Sequence, residues 1–239
     1  MRKLLMTTAL LSWPLGVAAQ DLTDARIKEL ALQAILENPQ IVMDAVALLD
    51  EARSAQQAEM QAQTLAQQRD LLENDPNAPF MGDADASTVI VEFFDYNCPY
   101  CKRAAVDVKA LLAADSDVRV VYREWPILGE GSVLAARAAL AARAQGKYEA
   151  MHWALMDLQG RAEEASILAA ARSVDLDIEQ LIADMESDAV NEHLLASQRL
   201  AQGLGFTGTP AFVIGDALVP GAVSLDELQE LVADARADG

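Results

Sequence analysis

The hydrophobic positions of this chain follow a helical period near its N-terminus. Residues 21–36 carry apolar side chains three or four positions apart, which predicts a helix that begins at Thr23 or Asp24. A second helix is predicted over residues 40–72, with an apolar face that is clear in its first half and thin in its Gln- and Ala-rich second half. We therefore expect a helical extension and linker over residues 20–78.

The pattern becomes that of a strand near the middle of the chain. Residues 88–96 form a nearly continuous run of Val, Ile and Phe, which predicts a strand buried on both faces. A helical pattern follows over residues 102–114, and a second strand pattern over residues 118–125. Strand, helix and strand in this order predict a right-handed parallel unit.

The rest of the chain is helical first and then returns to strands. Residues 131–203 are helical in pattern, and strand character resumes at residues 209–214 and 217–219 as an antiparallel hairpin. Ser224 is placed to cap a closing helix. The order predicts an α/β fold in which a helical domain is inserted into a domain spanning residues 79–239.

Residues 1–19 have the composition of a secretory signal peptide. Arg2 and Lys3 precede an apolar stretch, and small residues favour cleavage near Ala19. Pro14 interrupts the apolar stretch, which is too short for the ~20 residues that a membrane span needs. We therefore expect an exported protein rather than one held by an uncleaved anchor.

Composition and charge narrow the function classes. The 239 residues are 52% hydrophobic, which is typical of a folded globular protein, and the net charge is −19. Such a charge repels a phosphate backbone, so we expect no nucleic-acid partner.

The chain has two cysteines, Cys98 and Cys101, at CxxC spacing. A disulfide that closes so small a loop stabilises a fold little, so reactivity explains the pair better. Cys98 is placed at the start of the helix that follows the first strand, and Pro99 suits a first helical turn. Unpaired N–H groups there stabilise a thiolate. We expect Cys98 to be the exposed attacking thiol and Cys101, one turn further on, to be shielded.

The same two residues could instead bind a metal ion. A structural zinc ion needs four ligands, and the other candidates are His152 and His193, which are isolated on predicted helices. We therefore expect no zinc site and place both histidines on helix surfaces or between helices. Because two thiolates can bind Cu(I) at low coordination number, a copper-binding or copper-tolerance protein is the alternative function.

Two motifs in the chain resemble those of a known family. EFFDYNCPYC at Glu92–Cys101 and GTPAFVIG at Gly208–Gly215, with a helical insertion between them, resemble the DsbA family of periplasmic thiol-disulfide oxidoreductases over residues 86–236. The resemblance implies a thioredoxin-like core with an inserted helical domain at about residues 131–203, located in the periplasm. It also implies exported Cys-containing substrates, a membrane redox partner, and no cofactor beyond the redox-active disulfide.

The resemblance assigns roles by motif. Cys98 corresponds to the nucleophile, Cys101 to the resolving thiol, and Pro210 to a cis-proline that faces them. The backbone of Thr209 would pair with an extended substrate segment, and the residues between the cysteines, Pro99 and Tyr100, would tune the pair and contact substrate.

Glu92 corresponds to the acidic residue beneath the family's active site. A partly buried carboxylate there could accept or relay the proton of Cys101. The structural alternative is an ion pair between Glu92 and a cation such as Arg123.

The N-terminal extension is similar to the suppressor-of-copper-sensitivity C branch, in which N-terminal helices drive oligomerisation. A homo-oligomer formed through residues 20–78 is therefore one expectation, and a solvated arm is the other. Thr209 before the proline resembles the isomerase and reductase side of the superfamily. The direction of exchange, oxidase or isomerase, stays open at this point.

Overall fold

The computed structural model of the protein describes residues 23–238. The signal segment predicted over residues 1–19 lies outside them. Internal contacts divide the chain into two compact units, with the boundary after Ala55.

The first unit contains α1, Asp24–Glu37, and the beginning of α2, Gln40–Asn74. The Thr23 hydroxyl caps α1 by accepting a hydrogen bond from the N–H of Arg26 at 3.4 Å. Both predicted helices are confirmed, and α2 runs two residues further than expected. Every described residue up to Ala55 is exposed, including the apolar ones.

The second unit is built on a five-stranded sheet with the order β1-β3-β2-β4-β5. β2 and β3 are parallel, whereas the other neighbouring pairs are antiparallel. The predicted parallel unit and hairpin are confirmed, and the short edge strand β1 is additional. The strands are β1 Phe80–Gly82, β2 Thr88–Phe94, β3 Val118–Glu124, β4 Ala211–Ile214 and β5 Ala217–Pro220.

A helical domain separates β3 from β4, as the sequence predicted. α3, Pro99–Ala114, connects β2 to β3, and α9, Leu225–Asp238, closes the chain after a start capped by Ser224. The inserted helices are α4 Glu130–Ala141, α5 Tyr148–Met156, α6 Glu164–Ser173, α7 Ile178–Asp184 and α8 Asp188–Gly203. Among the described helices, none is both long and apolar enough to cross a membrane.

The two faces of the sheet pack against different partners. Ile90 and Phe94 of β2 belong to a core that includes α3, α9 and most of the insertion. Val91 and Phe93 belong to a second core that includes the C-terminal half of α2 and the end of α8. Because neighbouring residues in a strand point to opposite faces, burial on both sides explains the continuous apolar run of β2.

Candidate active site

Cys98 lies at the junction between β2 and α3. It is the N-cap residue of α3 with extended backbone angles, φ −81° and ψ 117°, and Pro99 is the first helical residue. Proline loses nothing there, because the first N–H groups of a helix have no intrahelical acceptor. The N–H groups of Cys101 and Tyr100 are among the groups that lower the pKa of Cys98, although the sulfur makes no cap hydrogen bond to the helix.

The surroundings of the Cys98 sulfur lower its pKa. A hydrogen bond from the Cys101 thiol is the largest cause, and it lowers the pKa of Cys98 to about 5 against the opposing effect of burial. The backbone N–H of Cys101 and a bond from the Thr209 side chain add to the effect. At neutral pH the Cys98 sulfur is therefore a thiolate, which is the reactive form of cysteine.

Cys101 has the opposite environment. Its side chain is completely buried, and burial raises its pKa far above the ordinary range, with the bond to Cys98 acting in the same direction. The expectation that Cys98 is exposed is wrong, because only 4% of its surface is accessible. The Thr209–Pro210 segment packs against it, with the Thr209 carbonyl oxygen 3.2 Å from the Cys98 sulfur. Cys98 is still the more accessible of the two.

The peptide bond between Thr209 and Pro210 is cis, as the resemblance implied. The Pro210 carbonyl accepts a hydrogen bond from the N–H of Gly221 at 2.9 Å. Tyr100, Thr209 and Pro210 line one groove of about 570 Å³. Tyr100 is 56% exposed at its edge, and Pro99 is also exposed. The structure thus brings the sequence-predicted residues around Cys98 together on one surface.

Glu92 lies in β2 opposite Tyr122 of β3 and is 1% exposed. Its Oε1 has no hydrogen-bond partner among the described residues. Burial, followed by the charge of Glu124, raises the pKa of Glu92 to about 8. The Glu92 carboxyl is therefore predominantly protonated at neutral pH. In its ionised form it would raise the pKa of Cys101 further.

The alternative pairing of Glu92 with Arg123 is wrong. Arg123 is the strand neighbour of Phe93, so its side chain points to the opposite face of the sheet. There its Nη1 donates to Asp75 Oδ2 at 2.7 Å. Burial alone would raise the pKa of Asp75, but the bonds from Arg123 and from the N–H of Asn77 hold it below its ordinary value.

A second buried carboxylate, Glu124, was missed by the sequence reasoning. Its Oε1 accepts a hydrogen bond from the Tyr148 hydroxyl at 2.6 Å, and its Oε2 lies 2.6 Å from His193 Nε2. The available signal was an acidic residue within a strand pattern, because a buried carboxylate requires partners. The partners come from α5 and α8, which are distant in sequence.

Both histidines are buried, so placing them on helix surfaces is wrong, and each packs between its own helix and β3 rather than between helices. His152 Nδ1 lies 3.1 Å from the Tyr96 hydroxyl, and aromatic rings from β2, β3 and α5 surround it. Burial lowers the pKa of His152 to about 3, so the ring is neutral at pH 7. Within residues 23–238, no cluster of three or more His, Cys, Asp and Glu side chains could hold a metal ion.

Comparison with known proteins places this geometry in context. Residues 89–233 match the family described as DSBA-like thioredoxin domain. A thioredoxin-like oxidoreductase from Silicibacter pomeroyi DSS-3 is 60% identical, with a TM-score of 0.70 over 71% of this chain and 98% of that chain. Proteus mirabilis ScsC in a transitional conformation is 33% identical, with a TM-score of 0.69 over 90% of this chain and 97% of that chain.

Two further similarities cover 71% and 64% of the chain. A periplasmic thioredoxin-like protein from Salmonella enterica serovar Typhimurium is 34% identical, with a TM-score of 0.66 over 71% of this chain and 95% of that chain. The Na(+)/H(+) antiporter NhaA 1 of Salinispora arenicola is 30% identical over 165 residues, which is 64% of this chain and 24% of the antiporter. The chain therefore spans about a quarter of the length of the first curated relatives that it matches. Because the family match covers more than half of the sequence, the chain belongs to the DSBA-like thioredoxin domain family.

Proposed function

We propose that this protein is an exported thiol-disulfide oxidoreductase that introduces or rearranges disulfides in exported Cys-containing proteins through Cys98 and Cys101. The observation that carries the proposal is the difference between the two sulfurs. Hydrogen bonds lower the pKa of Cys98 to about 5, whereas burial raises that of Cys101. One sulfur is suited to attack or to leave as a thiolate, and the other is suited to remain inside the fold.

In the oxidising direction, the proposed reaction has two exchanges. A client thiolate attacks Cys98 of the Cys98–Cys101 disulfide, so a mixed disulfide forms and Cys101 leaves with the electron pair and takes up a proton. A second client thiolate then attacks the client sulfur, and Cys98 leaves as a stabilised thiolate. The client is oxidised by two electrons and the pair is reduced by two. Isomerisation begins with the reverse attack by the Cys98 thiolate on a client disulfide.

Glu92 is the proposed source and acceptor of the Cys101 proton. It is a buried acid whose pKa, about 8, lies near neutrality, as efficient proton transfer requires. In this proposal the protonated carboxyl supplies a proton as Cys101 leaves, and the carboxylate takes it back when Cys101 attacks. The exchange needs no bound cofactor.

Client binding is assigned to the surface around Cys98. An extended client segment would pair with the backbone at Thr209, beside Pro210, as an added strand. Pro99 and Tyr100 would contact the same segment from the start of α3, because both are exposed next to Cys98.

The decisive test is to trap the mixed disulfide and titrate the thiolate. Cys101→Ser protein should accumulate a covalent complex with a client, and Cys98→Ser should not. The absorbance of the Cys98 thiolate at 240 nm, followed against pH, should have its midpoint near the value of about 5. An ordinary thiol titration without complex formation would overturn the proposal. The reduction potential against glutathione, together with refolding of a scrambled substrate, then assigns oxidase or isomerase.

The proposed location is the periplasm, after cleavage near Ala19, with a membrane redox partner that resets the pair. The signal-like residues 1–19 and the similarity to a periplasmic thioredoxin-like protein support this location. N-terminal sequencing of the protein from a periplasmic fraction tests it, and recovery of an intact Met1 would contradict it. The redox state of the cysteine pair in cells that lack candidate membrane partners tests whether a membrane redox partner resets the pair.

We propose a homo-oligomer formed through residues 20–78, because the first unit exposes many apolar side chains. Exposed apolar side chains there include Leu36, at 70%, and Leu48, at 67%. An uncovered apolar surface of this kind is typical of an interaction site, and a second copy is the proposed partner. The molar mass from light scattering should be a multiple of the chain mass and should fall in a Leu36→Glu, Leu48→Glu variant. A monomeric wild-type protein would exclude the oligomer.

A further inference from the structure

Asn97, the residue before Cys98, connects the active-site turn to the helical insertion. Its Oδ1 accepts a hydrogen bond from the N–H of Ala162 at 2.6 Å, and its Nδ2 donates to Ser132 Oγ at 3.1 Å. Ser132 lies in the first turn of α4 and is completely buried, and Ala162 precedes α6. One side-chain amide thus joins two separate segments of the insertion to the turn that carries Cys98.

The two segments meet closely at this point. A Cβ added to Gly131 would lie 2.0 Å from the carbonyl oxygen of Ala162 and 3.4 Å from Asn97 Nδ2. Only glycine fits there, because the first distance is shorter than any real contact of a Cβ atom. The junction therefore depends on a close backbone approach as well as on the hydrogen bonds of Asn97.

Other hydrogen bonds, made by Asp95 and Lys102, also hold the active-site turn that carries Cys98. The Asp95 carboxylate accepts a hydrogen bond from the N–H of Asn97 at 2.7 Å. The backbone carbonyl oxygen of Asp95 accepts one from the N–H of Cys98 at 3.0 Å. Lys102 donates from Nζ to the carbonyl oxygens of Leu158 and Gly160 in the insertion. These bonds flank the cysteine pair, while the Asn97 side chain reaches the insertion at the residue adjacent to Cys98.

We propose that Asn97 is a positioning residue, which locks the helical insertion onto the active-site turn and holds the Cys98 sulfur at the N-terminal end of α3. The inference rests on the proposed function, because it assigns how the reactivity of the same sulfur is set. Hydrogen bonds to a sulfur weaken steeply when the donor angle changes, so a small rotation of the turn alters the stability of the thiolate. The insertion therefore contributes to redox chemistry through Asn97 without touching a reacting atom.

The test compares Asn97→Ala with a matched asparagine elsewhere. Without the clamp, the midpoint of the Cys98 thiolate titration should rise by about one unit, the effect of losing roughly one hydrogen bond. At pH 7 the equilibrium constant for reduction of the cysteine pair by glutathione should then fall about tenfold. This corresponds to a reduction potential about 30 mV more negative. The proposed reason is that the reduced pair would lose part of its thiolate stabilisation.

Asn77→Ala is the control. The Asn77 side chain also joins the insertion to the rest of the unit, since its Nδ2 donates to the carbonyl oxygen of Ala189 at 2.7 Å, but it lies in the linker after α2. Both variants should lower the melting temperature, whereas only Asn97→Ala should move the titration and the potential. Equal titrations and potentials in wild type and folded Asn97→Ala would overturn the inference, as would equal shifts in both variants.

Ser132→Ala keeps the test decisive if Asn97→Ala does not fold. It removes the acceptor of Asn97 Nδ2 without changing charge or the residue beside Cys98, and it should shift the titration in the same direction by a smaller amount. An unchanged titration in this variant would reject the clamp. In a double variant, the effect of Ser132→Ala should disappear once Asn97 is already alanine.

The outcomes separate this inference from the proposed function. If the wild-type Cys98 titrates as an ordinary thiol and traps no client, the proposed function fails. If the wild-type protein exchanges disulfides and the Asn97→Ala variant does so with the same potential, only the positioning role fails.

Discussion

Arg123 and Glu92 are two fully buried ionisable residues on neighbouring strands, and their surroundings differ. Arg123 has an acidic partner, whereas Glu92 has no partner of opposite charge among the described residues. Arg123 points to the face covered by α2, where its guanidinium donates to Asp75 and to the carbonyl oxygens of Leu71 and Leu72. Its Nη1 and Nη2, which make these bonds, carry four of the five N–H groups of the guanidinium. The remaining group, Nε, has no partner among the described residues. The charge is retained because the fold supplies acceptors for most of its donors.

Glu92 points to the other face, the one whose core contains both cysteines. Its cross-strand neighbours are Tyr122 and Phe212 rather than a cation, and burial raises its pKa to about 8. Burial without a cation therefore gives a neutral acid that can exchange a proton, whereas burial with a carboxylate gives a fixed structural pair. The comparison indicates that the presence of a partner of opposite charge, and not burial itself, decides whether a buried group keeps its charge.

The largest expected effect is on stability when Arg123 is changed to Met. The variant leaves the Asp75 carboxylate and two carbonyl oxygens without their donor, so the free energy of unfolding should fall by about 3–5 kcal/mol. Urea denaturation measures this loss, and Arg172→Met on the exposed surface of α6 is the control. The exchange rate of the folded variant should be unchanged. A loss below about 1 kcal/mol would contradict the structural role.

Replacing Glu92 with Gln tests the reactive side of the comparison. Gln has nearly the same shape but holds no exchangeable acidic proton, so oxidation of a dithiol peptide should slow by about 100-fold. The rate profile against pH should also lose its inflection near the Glu92 pKa of about 8. Glu230→Gln, exposed on α9, should behave as the wild type. Equal rates for Glu92→Gln and the wild type would remove Glu92 from the proton pathway.

The same residue should make stability depend on pH. The pKa of Glu92 is raised from 4.5 to about 8 in the native state, so the native protein keeps a proton that the unfolded chain releases between these values. Stability is therefore lost as pH rises through this window, by about 2 kcal/mol between pH 5 and pH 7. Oxidised protein should be used, because the Cys98 thiolate contributes the opposite slope. The difference between wild type and Glu92→Gln should show this slope, and a flat difference would contradict it.

Much of the fold could be predicted from the sequence because its signals are local. Periodicity identified the helices and strands, and Asn38, Pro99 and Ser224 marked helix ends through their own backbone preferences. β1 was missed because a strand of three residues is too short to show an alternating pattern. The cis peptide bond before Pro210 followed from the family resemblance and not from local physics.

The site was predictable only where a motif carried it. The cysteine pair lies at a helix start that the sequence specifies, but the burial of Cys98 depends on the distant Thr209–Pro210 segment. The partner of Arg123 could not be read from the strand, because Asp75 lies beyond a long helix and the register of two strands decides which face each residue occupies. The contacts of Asn97 with Ser132 and Ala162 were missed for the same reason, since they join segments that are far apart in sequence.

The smallest expected effect concerns Tyr122, which faces Glu92 across the two strands. Its hydroxyl is buried and has no hydrogen-bond partner within the part of the chain that the structure describes. Removing an unpaired buried hydroxyl should leave stability unchanged or increase it by up to about 1 kcal/mol, so Tyr122→Phe should not be destabilising. Thermal melts of Tyr122→Phe, Glu92→Gln and the double variant measure any coupling between the two side chains. A loss of stability that disappears in the double variant would mean that the Tyr122 hydroxyl and the Glu92 carboxyl share a hydrogen bond. Glu92 would then be a paired structural residue, as Arg123 is, and the contrast between the two residues would be wrong.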